Sequence, residues 1–122
     1  MNPSTRTNRI RRHTRTRAKI SGTAVRPRVA VFKSSAHVYV QAIDDVAGVT
    51  IAAVNDAHVK VAKAGHEGLG TKAARAHQAG IQLAELLKAK GVSSAVFDTS
   101  GFAYHGRLKA VAEALRSNGI QI

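Results

Sequence analysis

The chain has no cysteine. That excludes disulfides and thiolate metal sites, and it fits a reducing cytosol. No apolar run approaches the length of a membrane span. The first residues lack the apolar h-region of a secretory signal, so none is expected. The most telling absence concerns charge. No Asp or Glu occurs before Asp44, whereas ten basic residues do. Arg6, Arg9, Arg11, Arg12, Arg15, Arg17, Lys19, Arg26 and Arg28 crowd the first 28 positions. Positive charges with no counter-charge repel one another. This segment is expected to stay extended until it meets a polyanion, which points to nucleic acid.

What is present fits one domain carrying a basic tail. The chain has 122 residues and a formal net charge of +12, a length typical of a single domain. Beyond Arg28 the balance is ordinary, with ten Lys/Arg against seven Asp/Glu. A mitochondrial presequence competes for the basic segment, since it too is Arg-rich, Ser/Thr-rich and poor in acids. Only Ile10 and Ile20 are strongly apolar before Val25, so no helical face there is expected to be amphipathic. Residues 1–24 are read as a disordered basic arm and 25–122 as the folded domain.

Within the domain, Arg28–Lys33 reads as a strand, with Val29 and Val31 on one face and Ala30 and Phe32 on the other. His37–Ile43 alternates clearly: Val38, Val40 and Ala42 share one face, His37, Tyr39 and Gln41 the opposite one. Asp44-Asp45 through Gly48 is a turn and Val49–Val54 a third strand, which makes an antiparallel meander. The loop 55–70 contains Gly65, Gly68 and Gly70. Thr71 can cap a helix that presents Ala76, Ala79, Gly80, Leu83 and Leu87 and stops near Gly91. Gly80 costs roughly 1 kcal/mol relative to Ala in mid-helix, and close approach to the sheet would explain it. Ser94–Phe97 is a short strand. Arg107–Asn118 is a second amphipathic helix, with Gly119 as its C′ residue and Ile120–Ile122 as a candidate short edge strand.

The fold class is therefore α/β with a mixed sheet, in the order β-β-β-α-β-α. If the fourth strand lies parallel beyond the first, and both crossovers are right-handed, both helices cover one face of the sheet. The His37/Tyr39/Gln41 face is then open to solvent or to a partner.

The basic arm suits phosphate binding by counterion release. Six phosphate contacts would give a log–log salt slope of roughly −0.9 × 6 by the duplex rule. The His37/Tyr39/Gln41 row, with Phe32 nearby, can hold unstacked bases, or it is an ordinary polar outer face. In Gly101–Arg107, Tyr104 and His105 can stack or donate, and Arg107 stands at a helix N-terminus, where anions are favoured. The Gly-rich loop lacks the Gly-Lys-Ser/Thr ending of a phosphate loop. The six histidines include no pair at helical i, i+4 spacing. Asp98, Ser100 and His105 have the residue types of a catalytic triad but no nucleophile elbow around the Ser. An RNase H-like hydrolase shares the order of elements, yet the first strand offers Val29 and Val31 where a metal-binding carboxylate is needed.

Two long stretches resemble the bacterial large-subunit ribosomal protein L-eighteen family. They are Gly22-Thr23-Ala24-Val25-Arg26-Pro27-Arg28-Val29-Ala30-Val31-Phe32-Lys33-Ser34, continuing to His37-Val38-Tyr39-Val40-Gln41 and Ile43-Asp44-Asp45, and Val96-Phe97-Asp98 with Gly101-Phe102-Ala103-Tyr104-His105-Gly106-Arg107-Leu108-Lys109-Ala110. The helix piece Ala76-x-x-Ala79-Gly80-x-x-Leu83-Ala84 also fits. The resemblance implies a structural protein of the large ribosomal subunit that binds 5S rRNA and helps attach it to 23S rRNA in the central protuberance. Ribosomal protein L-five would be its neighbour. It implies RNA contacts at Arg9, Arg11, Arg12, Arg15, Arg17, Lys19, Thr23, Arg26, Arg28, Lys33, Ser34, His37, Tyr39 and Gln41, and at Tyr104, His105, Gly106 and Arg107. Thr99-Ser100 depart from the family's usual Arg-Gly, and loop 55–70 lacks its usual form.

The resulting expectation is a cytoplasmic ribosomal protein rather than an organellar one. It is not an enzyme, and it has no cofactor, metal, membrane or small-molecule substrate. The alternative is a general basic nucleic-acid binder without 5S specificity.

Overall fold

The structure is a computed structural model. It describes residues 4–34, 37–56, 71–102, 104 and 106–122, with side chains at all of these except 4–6, 13, 16–19 and 71. The elements are α1 (Ser4–Lys19), β1 (Arg28–Lys33), β2 (Val38–Asp44), β3 (Val49–Asn55), α2 (Thr71–Ala89), β4 (Val96–Asp98) and α3 (Arg107–Ser117).

The sheet has the order β3-β2-β1-β4. β1 pairs antiparallel with β2 and parallel with β4, and β2 pairs antiparallel with β3. This is the predicted mixed sheet, with the fourth strand parallel beyond the first. Valines and alanines alternate along β1 and β2, and register places Val29 opposite Ala42 and Val31 opposite Val40. All four are fully buried. They meet Ala76, Ala79, Leu83 and Leu87 of α2, and Leu108, Val111 and Leu115 of α3, in one hydrophobic core. Both helices therefore cover the same face. On the other face Phe32 lies opposite Tyr39 and Ala30 opposite Gln41.

Several boundaries shift by a residue or two for local reasons. His37 falls outside β2 because it closes the preceding turn. Ser34 N–H donates to the His37 carbonyl at 2.8 Å, and His37 N–H donates to Ser34 Oγ at 3.2 Å. β4 begins at Val96, and its Asp98 takes the ladder position beside Ala30. The chain end contributes a single parallel bridge, Ser94 with Gln121, rather than a full strand. In β3 one residue is inserted as a bulge: Ala42 pairs with Ala52 but Ile43 with Thr50.

Gly80 departs from its predicted explanation. A Cβ there would lie 2.7 Å from the Ala114 Cβ and 2.9 Å from the Val111 carbonyl oxygen. The close approach is between α2 and α3, not between α2 and the sheet. Both helices stop as expected: Ile120 N–H donates to Leu115 O and Gly119 N–H to Arg116 O, and the same pair of bonds closes α2 at Gly91 and Val92.

The basic segment, expected to be disordered when free, contains helix α1 over Ser4–Lys19 in the structure. Six arginines with Ala18 and Lys19 favour helix while four threonines and Asn8 oppose it, and no apolar stripe docks it. Ile10 is half exposed, in keeping with the absence of an amphipathic face.

Candidate nucleic-acid interface

Three groups of side chains make up the candidate interface. The first is where α1 meets the domain. Asp98 ends β4, and its Oδ1 accepts the Ser100 N–H at 2.8 Å. This sets a tight turn in which Ser100 (φ 56°) and Gly101 (φ 82°) both adopt left-handed backbone. The carbonyls so exposed receive the arm: Arg9 Nη1 donates to Ser100 O and Arg12 Nε to Gly101 O, each at 3.2 Å. The Arg9 guanidinium carbon also sits 4.8 Å from the centre of the Phe102 ring, and Lys33 Nζ sits 5.4 Å from it. Arg11 and Arg15 are exposed on the same helix.

The second group is the open sheet face and its approach. Tyr39 and Phe32 are exposed, Gln41 half-buried. His37 Nδ1 lies 2.9 Å from Oδ1 of Asp56, a carboxyl that is almost fully buried at the end of β3. This contact orients the ring, so Nε2 is the nitrogen available to a ligand. Arg107 Nη1 donates to the Ser34 carbonyl at 2.9 Å. That bond joins the start of α3 to the β1–β2 turn, 73 positions away in sequence. Ser34, His37 and Arg107 thus form one cluster. Lys33 extends from the adjoining end of β1.

The third group lies to the sides. Thr23 Oγ1 accepts the Arg26 N–H at 3.0 Å in the turn before β1, where both side chains are exposed. Tyr104 packs edge-on against Phe97 and accepts a hydrogen bond from Arg116. Gly106 precedes α3 with a positive φ and is exposed. His105, and the side chains of Arg17 and Lys19, lie outside the described residues.

Arg28 occupies a different kind of place from the other predicted contacts. It is only 5% exposed. Its Nε and Nη2 donate to the two oxygens of Asp45 at 2.9 and 3.1 Å, and its Nη1 donates to Asp98 at 2.8 Å. The hydrogen bond to Asp45 is the largest cause holding the guanidinium above its ordinary pKa; burial opposes it, and Asp98 adds to it. The charge is consumed inside the protein, so Arg28 organises the site rather than presenting a cation at its surface. Asp45 Oδ2 also accepts the Gly22 N–H at 2.7 Å. A Cβ at Gly22 would sit 2.3 Å from Arg28 N and from Ile43 O. The residue must therefore be glycine for the arm to leave the domain at this point.

The buried triad and the Phe102 ring are the parts that sequence reasoning missed. Asp45 and Asp98 lie 17 and 70 positions from Arg28, and no spacing rule connects them. Among the described residues no three His, Cys, Asp or Glu could hold a metal ion. No described helix is long and apolar enough to cross a membrane.

With this geometry in place, comparison with known proteins is informative. Residues 4–122 match the family model described as ribosomal L18 of archaea, bacteria, mitochondria and chloroplast. The chain is 49% identical over 113 residues to the large ribosomal subunit protein uL18 of Lactobacillus delbrueckii subsp. bulgaricus, covering 93% of this chain and 91% of the relative. It is 48% identical over 112 residues to that of Lactobacillus acidophilus, covering 92% and 90%. It is 49% identical over 113 residues to that of Streptococcus suis, covering 93% and 88%.

Proposed function

The chain belongs to the ribosomal L18 family, and we propose that in the large ribosomal subunit it binds 5S rRNA and helps attach it to 23S rRNA in the central protuberance. Ribosomal protein L-five is the proposed neighbour and the cytoplasm the proposed compartment. No catalysis is part of the proposal.

The observation that carries this reading is a sheet with one face sealed by helices and the other open, next to a helix with several exposed arginines. The arm supplies cations for phosphates, with Arg9, Arg11, Arg12 and Arg15 and, in the same segment, Arg17 and Lys19. Thr23 and Arg26 continue the basic track from the arm to β1. Lys33, Ser34, His37, Tyr39 and Gln41, with Tyr104, His105, Gly106 and Arg107, are the proposed contacts that distinguish one RNA from another. Arg28 supports them from beneath. Phosphate contacts give affinity without sequence information, whereas shape, stacking and hydrogen bonding to unpaired bases give discrimination.

A competition experiment tests the reading. Full-length protein is bound to labelled 5S rRNA and challenged with unlabelled 5S rRNA or an unrelated duplex RNA over a salt series. Preferential displacement by 5S rRNA at every salt concentration is expected. Equal displacement by both RNAs would leave only a general basic nucleic-acid binder.

A further inference from the structure

We infer that Phe32 is a stacking site for an unpaired nucleobase, held edge-on by Phe102, which two cations flank. The inference rests on the reading that the open sheet face meets RNA and adds a residue to it.

Phe32 is 55% exposed. Its two neighbours along β1 behave differently, since Val31 is fully buried and Lys33 half-buried. A large apolar ring more than half exposed near the end of an interior strand forgoes burial that folding could have given it. Alternation explains which way Phe32 points but not why the residue is aromatic, because any side chain fits that position.

The surroundings specify the kind of partner. Phe102 meets Phe32 edge to face, with centroids 5.9 Å apart and planes at 75°. That contact fixes the tilt of the Phe32 ring. Phe102 is in turn approached by Arg9 and Lys33, so two cations flank the ring that abuts Phe32. Tyr39 lies directly across the strand pair and Gln41 follows on the same face. An apolar protein surface would desolvate both cations without offering them a counter-charge, which is costly. A base flanked by its phosphates satisfies the whole arrangement. Its π-face covers Phe32, its phosphates meet Arg9 and Lys33, and its edge is within the province of Tyr39 and Gln41.

The test uses full-length protein and a short labelled oligoadenylate, alongside the same oligonucleotide with abasic residues at its centre. Both carry the same backbone charge, so the difference between them reads contacts to the bases, and the Phe32 variants isolate the stacking part. The wild-type protein is expected to bind the base-bearing probe about tenfold more tightly, in the range of a base–aromatic stack. Phe32→Leu is expected to abolish that difference while leaving the salt slope unchanged, and Phe32→Trp to keep it. Equal binding of the two probes by the wild-type protein overturns the inference. So does a preference that survives in Phe32→Leu, or one lost equally in Phe32→Leu and Phe32→Trp, which would mean that Phe32 acts only through its packing on Phe102. The probe contains nothing of 5S rRNA. Loss of 5S preference and loss of base preference are therefore separate outcomes.

Discussion

Arg28 Nη1 donates to Asp98 Oδ2 at 2.8 Å in a site where Asp98 has no exposed surface. The other oxygen of the same carboxylate takes the Ser100 N–H. One buried carboxyl thus couples the first strand to the turn on which the basic helix rests. The path runs from Arg28 to Asp98, to the Ser100–Gly101 turn, and out to Arg9 and Arg12.

Breaking this pair from the Arg side should be severe. Arg28→Met removes the guanidinium that Asp98 and Asp45 share, and breaking a buried pair from one side costs about 3–5 kcal/mol. Urea unfolding should show that loss as a lower midpoint, shifted by the energy divided by an unchanged slope. A loss below about 1 kcal/mol would contradict the buried-triad role. Titration is not a substitute. Because the Arg28 pKa is raised on folding, its contribution is complete at and below the ordinary arginine value. It disappears only as pH rises through the still higher folded value. Arg28 itself therefore adds no pH dependence below the ordinary arginine value.

Ser100 is the one non-glycine residue with positive φ among those described, and it stands where the family resemblance has glycine. An L-residue in this region costs roughly 1–2 kcal/mol, and glycine gives back roughly 0.5–1 kcal/mol in unfolded-chain entropy. Ser100→Gly is therefore expected to stabilise the chain by up to about 1 kcal/mol. The Asp98 bond to the Ser100 backbone N–H is retained in the variant. A lower unfolding midpoint in the Gly variant would mean that the Ser100 side chain contributes more than the strain it causes.

His37 separates stability from binding. In His37→Asn the amide nitrogen replaces Nδ1 opposite Asp56, but nothing replaces Nε2. Stability should change by less than about 1 kcal/mol, whereas 5S affinity should fall about tenfold, the value of one hydrogen bond involving a charged group. Comparable losses in both measurements would assign His37 to the fold alone.

The parts of this molecule legible in the sequence are those governed by short periods. The two-residue alternation of β1 and β2 identified Val29, Val31, Val38, Val40 and Ala42 as core, and right-handed crossovers then left the Tyr39 face open. The rest depends on distant partners or on none. Alternation assigns Arg28 to the same strand face as Ala30 and Phe32, and only the folded chain brings Asp45 and Asp98 to it. Helix α1 has no apolar repeat to detect, because backbone propensity and two carbonyl contacts hold it rather than a buried stripe. Gly80 advertised a close approach without naming its partner, since Ala114 lies on a different helix. Phe102 sits in a segment rich in stacking residues, but its position beside Arg9 follows from the Ser100–Gly101 turn.

The division of labour between helix α1 and the open sheet face is tested most directly by one ratio, the Kd for unrelated duplex RNA divided by the Kd for 5S rRNA. It should be measured over a salt series for wild type, for Arg11→Gln/Arg15→Gln, and for Tyr39→Ala/Gln41→Ala. The arginine variant should bind both RNAs more weakly, with a salt slope shallower by about one to two, and keep its ratio. The sheet variant should keep its salt slope and lose most of its ratio. A ratio that collapses with the arginines, or survives loss of Tyr39 and Gln41, would contradict specificity residing on the sheet.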